Sequence, residues 1–237
     1  MTALTTALTT EEVLATLRAL QGLDLPAHGG RTLAYVRDSG LADADAVGLE
    51  ALAMFAGSNG LDPTAFPSLL TMENDLVAMA GGLLDAPDGF AGSVTSGGTE
   101  SILLAVLAAR KAGDHPSPSM VLPTSAHAAF LKAGSYLGVR AVLVDVDPDT
   151  LRADPVAMAA AIDDSTVLVV ASAPSYAHGV IDPVPEIAAA AAAHGIRCHV
   201  DACIGGWVLP HLDGVPPGTF AVDGVTSMSV DLHKYAY

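Results

Sequence analysis

The chain of 237 residues is 51% hydrophobic and 15% charged, with a formal net charge of −16. That length and apolar content allow a sizeable core and exclude a disordered chain, while the acidic balance argues against nucleic acid and anionic membranes as partners. The two cysteines, Cys198 and Cys203, form neither a disulfide framework nor a zinc-ligand spacing, and fit a reducing, cytoplasmic setting.

Met1–Thr10 reads as a polar lead-in without a basic-then-apolar secretion signal. Thr10 can cap a helix over Glu11–Leu20, whose Glu11 and Glu12 complement the helix dipole. Pro26, Gly29 and Gly30 then break the chain. Helices are expected at Ala46–Phe55 and, with an apolar face, at Leu69–Leu84. From Phe90 the pattern changes to short apolar runs alternating with helices. The expected strands are Gly92–Thr95, Met120–Leu122, Ala141–Val144, Val167–Ala171, Arg197–Val200 and Gly224–Ser229. The helices between them are Thr99–Lys111, Ala126–Leu137, Pro155–Ile162 and Val184–His194. The alanine-rich run at Ile187–Ala193 is too short and too weakly apolar to span a bilayer.

Continuous apolar strands separated by helices imply an α/β architecture, a mostly parallel sheet with helices on both faces. The chain thus divides into an N-terminal helical segment, 1–89, and a sheet domain, 90–237. Ligands of such sheets bind beyond the carboxyl ends of the strands. Polar clusters fall there at Thr95–Thr99, Thr124–His127, Ala171–Tyr176, Asp201–Cys203 and Asp231–Lys234.

Each cluster has a chemical reading beside a plainer one. In Ser96-Gly97-Gly98-Thr99-Glu100 a strand runs through two glycines into a helix, so bare backbone and free N–H groups could meet an anion; a tight turn with Thr99 as its cap explains the same residues. Asp201 follows an apolar strand, where a carboxylate is costly to desolvate without a cationic partner; capping the turn Ala202–Gly206 is the alternative. His127 could stack on an aromatic ring or merely occupy a helix start. Lys234 is one of three lysines, with Lys111 and Lys132, and the one at an expected strand end beside a histidine. An amine there can attack carbonyls; a solvated surface lysine is the other reading.

Together these segments resemble the pyridoxal-dependent decarboxylase family of fold-type I, and within it the sphingosine-1-phosphate lyases. The likeness rests on Thr95-Ser96-Gly97-Gly98-Thr99-Glu100-Ser101, His178-Gly179-Val180-Ile181-Asp182-Pro183, His199-Val200-Asp201-Ala202-Cys203 with Gly205-Gly206, and Asp231-Leu232-His233-Lys234-Tyr235. Their order and spacing match too, with Phe66-Pro67-Ser68 ahead of the helix from Leu69. The likeness extends from about Glu11 to the last residue.

The resemblance implies a large domain that binds pyridoxal 5'-phosphate, with Lys234 as the Schiff-base lysine. It further implies that Asp201 pairs the pyridine nitrogen, that His127 stacks on one ring face and that Cys203 lies against the other. Gly98 and Thr99 would hold the phosphate, helped by His233. Tyr176 matches an active-site tyrosine, a partly buried core tyrosine being the alternative. Asn59 matches a residue near the substrate, although Asn59-Gly60 is equally a plain turn.

The implied activity is that of a carbon–carbon lyase on an amine or amino acid, which replaces Lys234 on the cofactor as an external aldimine. Cleavage at Cα–Cβ beside a hydroxyl gives an aldehyde-lyase, and cleavage at the carboxylate gives a decarboxylase. An aminotransferase and a truncated, non-catalytic cofactor-binding chain are the alternatives. The implied working unit is a homodimer with shared active sites. Two departures bear on the substrate: Asp62 stands where such lyases carry a phosphate-binding histidine, and Arg37 near where they carry a tyrosine. An anionic Asp62 would repel a substrate phosphate, so an unphosphorylated substrate is expected. The family continues after the lysine with a further strand and a C-terminal domain absent from this sequence, so the sheet domain is expected to be incomplete at that end.

Overall fold

The computed structural model describes residues 8–29, 38, 40–113 and 115–236; Arg37 lies outside them. The chain divides into two compact units, Met1–Ala51 and Leu52–Tyr237.

In the first unit, helix α1 spans Thr10–Gln21 and its cap is Thr9, one residue earlier than expected. The reason is the spacing Thr9-x-x-Glu12. Glu12 N–H donates to Thr9 Oγ1 at 3.2 Å, and Thr9 N–H donates to Glu12 Oε2 at 2.7 Å, which satisfies two end groups reciprocally. Thr10 would place Val13 at the third position, with nothing to return the bond. Helix α2, Ala42–Phe55, begins four residues before the expected Ala46, with Asp43 and Asp45 in its first turn complementing the dipole.

The second unit is a parallel sheet of five strands in the order β2-β1-β3-β4-β5. The strands are β1 Ser119–Pro123, β2 Arg140–Val144, β3 Thr166–Ser172, β4 Arg197–Asp201 and β5 Val225–Ser229. Helices α3 Pro67–Leu83, α4 Gly98–Gly113, α5 Ala129–Leu137, α6 Pro155–Ala160 and α7 Val184–Ala193 accompany them. A 3-10 turn covers Leu209–His211, and a π-helical turn covers Leu232–Ala236. Helix α3 belongs to this unit: Phe220 N–H donates to Leu84 O at 3.0 Å.

β1 and β3 are buried along their whole length, as their unbroken apolar runs require. Alternate residues serve opposite faces. Val121, Val169, Val200 and Cys198 pack towards α6 and α7. Met120, Leu122, Leu168 and Val170 pack with Ile102 and Phe130 of α4 and α5. Each such Val or Leu contributes about 1.5–3 kcal/mol by leaving water.

Gly92–Thr95, expected as a sixth strand, is not one. Its Val94 N–H donates to Glu73 Oε1 of α3 at 2.9 Å, and the Thr95 hydroxyl meets Ser101 Oγ at 2.7 Å. The α3 side chain thus takes a backbone donor that a neighbouring strand would need, while α4 holds the Thr95 side chain.

Asp182, from the His178–Pro183 motif, is fully buried and clips the end of β3. Its Oδ2 accepts from Ser172 N–H at 2.8 Å, and its Oδ1 accepts from Ala153 N–H at 2.9 Å. Burial raises its pKa against those hydrogen bonds. Among the described residues no helix is long and apolar enough to cross a membrane.

Candidate functional site

The chain goes from β1 outward to β2 and then returns to β3 on the other side. The crevice at such a reversal, beyond the carboxyl ends of the strands, is where open α/β sheets take ligands. A cavity of about 360 Å³ lies in this region, and the turn after β1, the turns after β3 to β5 and the start of α4 all line it.

At the start of α4, Gly97 has φ +142°, which side-chain-bearing residues rarely adopt. Gly98 is bare for a second reason. A β-carbon there would stand 2.8 Å from both Asp231 Oδ2 and Cys203 Sγ, well inside ordinary contact. The first N–H groups of the helix, at Gly98 and Thr99, have no intrahelical partner and carry its positive end. Glu100 reaches back so that its Oε2 accepts from Ser96 N–H at 2.7 Å. Thr99 is not the cap expected of the plainer reading: α4 already begins at Gly98, Glu100 and Ser101 N–H donate to Gly97 O, and the backbone at this helix start faces the cavity.

Asp201 ends β4 and is 8% exposed. Its Oδ1 accepts from Cys203 N–H at 3.1 Å and from Ser229 O–H at 3.5 Å, which leaves Oδ2 for the cavity. It caps its own turn and still offers a carboxylate oxygen. The Cys203 thiol donates to Ser229 Oγ at 3.3 Å. Burial first, then the nearby Asp201 charge, pushes its pKa far up, so Cys203 is an uncharged wall rather than a nucleophile.

His127 Nδ1 accepts from Ala129 N–H at 3.1 Å, which places the ring proton on Nε2. Because the ring takes this capping bond, α5 begins at Ala129 rather than at the expected Ala126. The same ring meets Tyr176 edge-on, with centroids 5.0 Å apart. Tyr176 is 58% exposed, so it is not the partly buried core tyrosine that sequence left open.

Lys234 sits on the π-helical turn with its side chain 25% exposed, and its Nζ lies 2.8 Å from Asp231 Oδ2. His233 Nε2 is 3.7 Å from the same oxygen. Asp231 is buried and had no assigned role in the sequence; the signal available was its position three residues before the lysine.

Gly98, Thr99, His127, Tyr176, Asp201, Cys203, His233 and Lys234 thus meet around one cavity. Asn59 and Asp62 do not line it. Asn59 Oδ1 accepts from Leu61 N–H at 3.1 Å, and Asp62 Oδ1 accepts from Thr64 N–H at 2.8 Å and Oγ1 at 2.6 Å. These bonds to Thr64 hold the exposed Asp62 carboxyl below its usual pKa. Both side chains shape their own loop. The cavity residues combine a nucleophilic amine, a carboxylate for a cation, a helix start for an anion, and two walls suited to a flat group.

Residues 38–237 match the family model described as the pyridoxal-dependent decarboxylase conserved domain. The chain is 45% identical over 194 residues to the sphingosine-1-phosphate lyase of Dictyostelium discoideum, covering 79% of this chain and 37% of that protein. It is 40% identical over 238 residues to sphingosine-1-phosphate lyase 1 of Rattus norvegicus, covering 97% of this chain and 42% of that one. Among solved structures, the sphingosine-1-phosphate lyase of Burkholderia pseudomallei is similar with a TM-score of 0.88 at 34% identity, over 98% of this chain and 57% of that chain. The chain spans less than half the length of these two curated relatives.

Proposed function

The chain belongs to the pyridoxal-dependent decarboxylase family, and from that premise we propose that it is the cofactor-binding part of a carbon–carbon lyase acting on an amine or amino acid. The cofactor is pyridoxal 5'-phosphate and the fold is that of the fold-type I enzymes. The residues present suit the cofactor. The missing β-carbon at Gly98 keeps open a space that would otherwise close on Asp231 and Cys203, at a helix start fit for a phosphate. One observation carries the proposal. Of the three lysines, Lys234 is the one that lines the cavity among the described residues, and it does so together with Asp201, His127 and the start of α4.

When bound, the cofactor supplies an electron sink for a bond broken at the substrate's Cα. The chain's own residues do the rest. Lys234 Nζ, released from Asp231, provides the nucleophilic amine and moves protons at Cα. Asp201 offers Oδ2 to a protonated ring nitrogen. His127 and Cys203 close the two faces of a flat group. Gly98 and Thr99 N–H, with His233, hold a phosphate. The Tyr176 hydroxyl, exposed beside His127, takes or holds the proton of a substrate hydroxyl. That hydroxyl separates Cα–Cβ cleavage from loss of a carboxylate.

The working unit in this proposal is a homodimer with shared active sites in the cytoplasm. Asn59 and Asp62, which do not line this chain's own cavity, act on the substrate in the partner's. The names of the relatives support Cα–Cβ cleavage, and the family name supports decarboxylation as the second reading. Full-length protein incubated with phosphorylated amino alcohols and with amino acids separates them. An aldehyde product establishes the first, and carbon dioxide with an amine the second. Amino transfer to a keto acid with neither product overturns both.

A further inference from the structure

Behind Asp201, strands β4 and β5 hold a line of polar side chains inside the core. The register pairs His199 with Ser227 and Asp201 with Ser229. Because side chains alternate along a strand, all four lie on the face towards α4 and α5. His199 is 1% exposed, with the Phe130 ring edge-on at 5.8 Å between centroids. Its Nδ1 lies 2.9 Å from Ser227 Oγ and its Nε2 lies 3.2 Å from Ser229 Oγ. Ser229 Oγ also receives the Cys203 thiol proton at 3.3 Å and stands 3.5 Å from Asp201 Oδ1.

Counting protons gives the line a direction. Ser229 has one proton and two acceptor sites. Its strongest neighbouring acceptor is the Asp201 carboxylate, so its proton points there. The two acceptor sites are then filled by Cys203 S–H and by His199 Nε2–H. A neutral histidine with its proton on Nε2 must accept at Nδ1, which takes the Ser227 O–H. Both ring nitrogens of His199 and all three sites of Ser229 are used, and Asp201 keeps Oδ2 for the cavity. Burial holds the His199 pKa down to about 4, so the ring stays neutral near pH 7.

The geometry points to Ser227, His199 and Ser229 as a hydrogen-bond relay that positions Asp201, holding its Oδ1 so that Oδ2 is aimed at the ring nitrogen of the cofactor. This rests on Asp201 being the partner of that nitrogen. Without the Ser229 donor the carboxylate is free to turn, so Oδ2 is no longer fixed against the ring nitrogen and the electron sink weakens. His199 and Ser229 touch neither cofactor nor substrate; they are positioning residues.

The test uses full-length enzyme loaded with cofactor labelled with ¹⁵N in the ring. Ser229→Ala removes one oxygen and is expected to leave cofactor occupancy and the substrate KM within about threefold of wild type. A hydrogen bond to a charged group corresponds to a loss of roughly ten- to a hundredfold in kcat. The ring-nitrogen resonance should move towards that of a neutral pyridine. His199→Leu should reproduce both effects, whereas His199→Gln, which keeps a donor, should recover most of the rate; if His199→Leu does not fold, Ser229→Ala decides alone. Wild-type kcat and resonance in Ser229→Ala, with both lost in Asp201→Asn, overturn the relay and leave the role of Asp201 standing. Wild-type behaviour in Asp201→Asn overturns that role and the relay with it.

Discussion

Replacing Gly98 by alanine puts the cofactor site under a defined strain. The new β-carbon would stand 2.8 Å from Asp231 Oδ2, 2.8 Å from Cys203 Sγ and 2.9 Å from Asp231 Oδ1. Forcing a methyl into packed surroundings costs about 1–3 kcal/mol. Alanine's better helix propensity returns up to about 1 kcal/mol. Stability therefore changes modestly, and for a chain of this size a net 1–2 kcal/mol lowers Tm by roughly 2–8 °C. The effect on the cofactor is larger. The methyl fills the space at the helix start and pushes Asp231 from its place against Lys234. A tenfold to hundredfold rise in Kd for pyridoxal phosphate is expected, about 1.4–2.8 kcal/mol. Titration of cofactor-free protein measures it, with calorimetric unfolding of the same samples as the control for folding. Wild-type affinity in a folded Gly98→Ala protein would refute the placing of the phosphate at this backbone.

Three other outcomes are expected. Asp201→Asn should retain most of the cofactor and lose most turnover, as measured by occupancy and kcat on the same preparation; near wild-type turnover contradicts a role in holding a charged ring. Asp182→Ala leaves the buried N–H groups of Ser172 and Ala153 without their carboxylate. It should cost about 3 kcal/mol, or roughly 6–12 °C in Tm, with a shift below about 2 °C contradicting the clip. Asp62→His should raise kcat/KM on a phosphorylated amino alcohol by roughly tenfold, because in the proposed dimer it removes a like charge facing the substrate phosphate in the partner's cavity. No change there means that Asp62 serves only its own loop.

Much of this was legible in the residues because burial on both faces leaves an unmistakable trace. β1 and β3 are unbroken apolar runs, and their bounds fall within two residues of expectation. Gly92–Thr95 lacks that trace, having only the β-branched Val94 and Thr95 to suggest a strand, and its Val94 N–H is taken by Glu73, a partner 21 residues away that no local pattern announces. The capping of α1 was misplaced by one residue because two adjacent threonines offer the same chemistry, and only the reach of Glu12 separates them. Lys234, Asp201, Gly98 and Asp231 were all expected at strand ends, and the roles of the first three came from the family resemblance. The bond of Asp231 to Lys234 was not foreseen, since it depends on the turn the chain makes after β5. The His199–Ser229 row was hidden for a similar reason. It exists only in the register of β5 against β4, which shifts between Cys198 and His199.

The central claim is that Lys234 carries the cofactor. Full-length protein reconstituted with pyridoxal phosphate and reduced with borohydride should lose its visible absorbance and yield, on peptide mapping, a single modified lysine at Lys234. An adduct at Lys111 or Lys132, or absorbance that borohydride leaves unchanged, contradicts it.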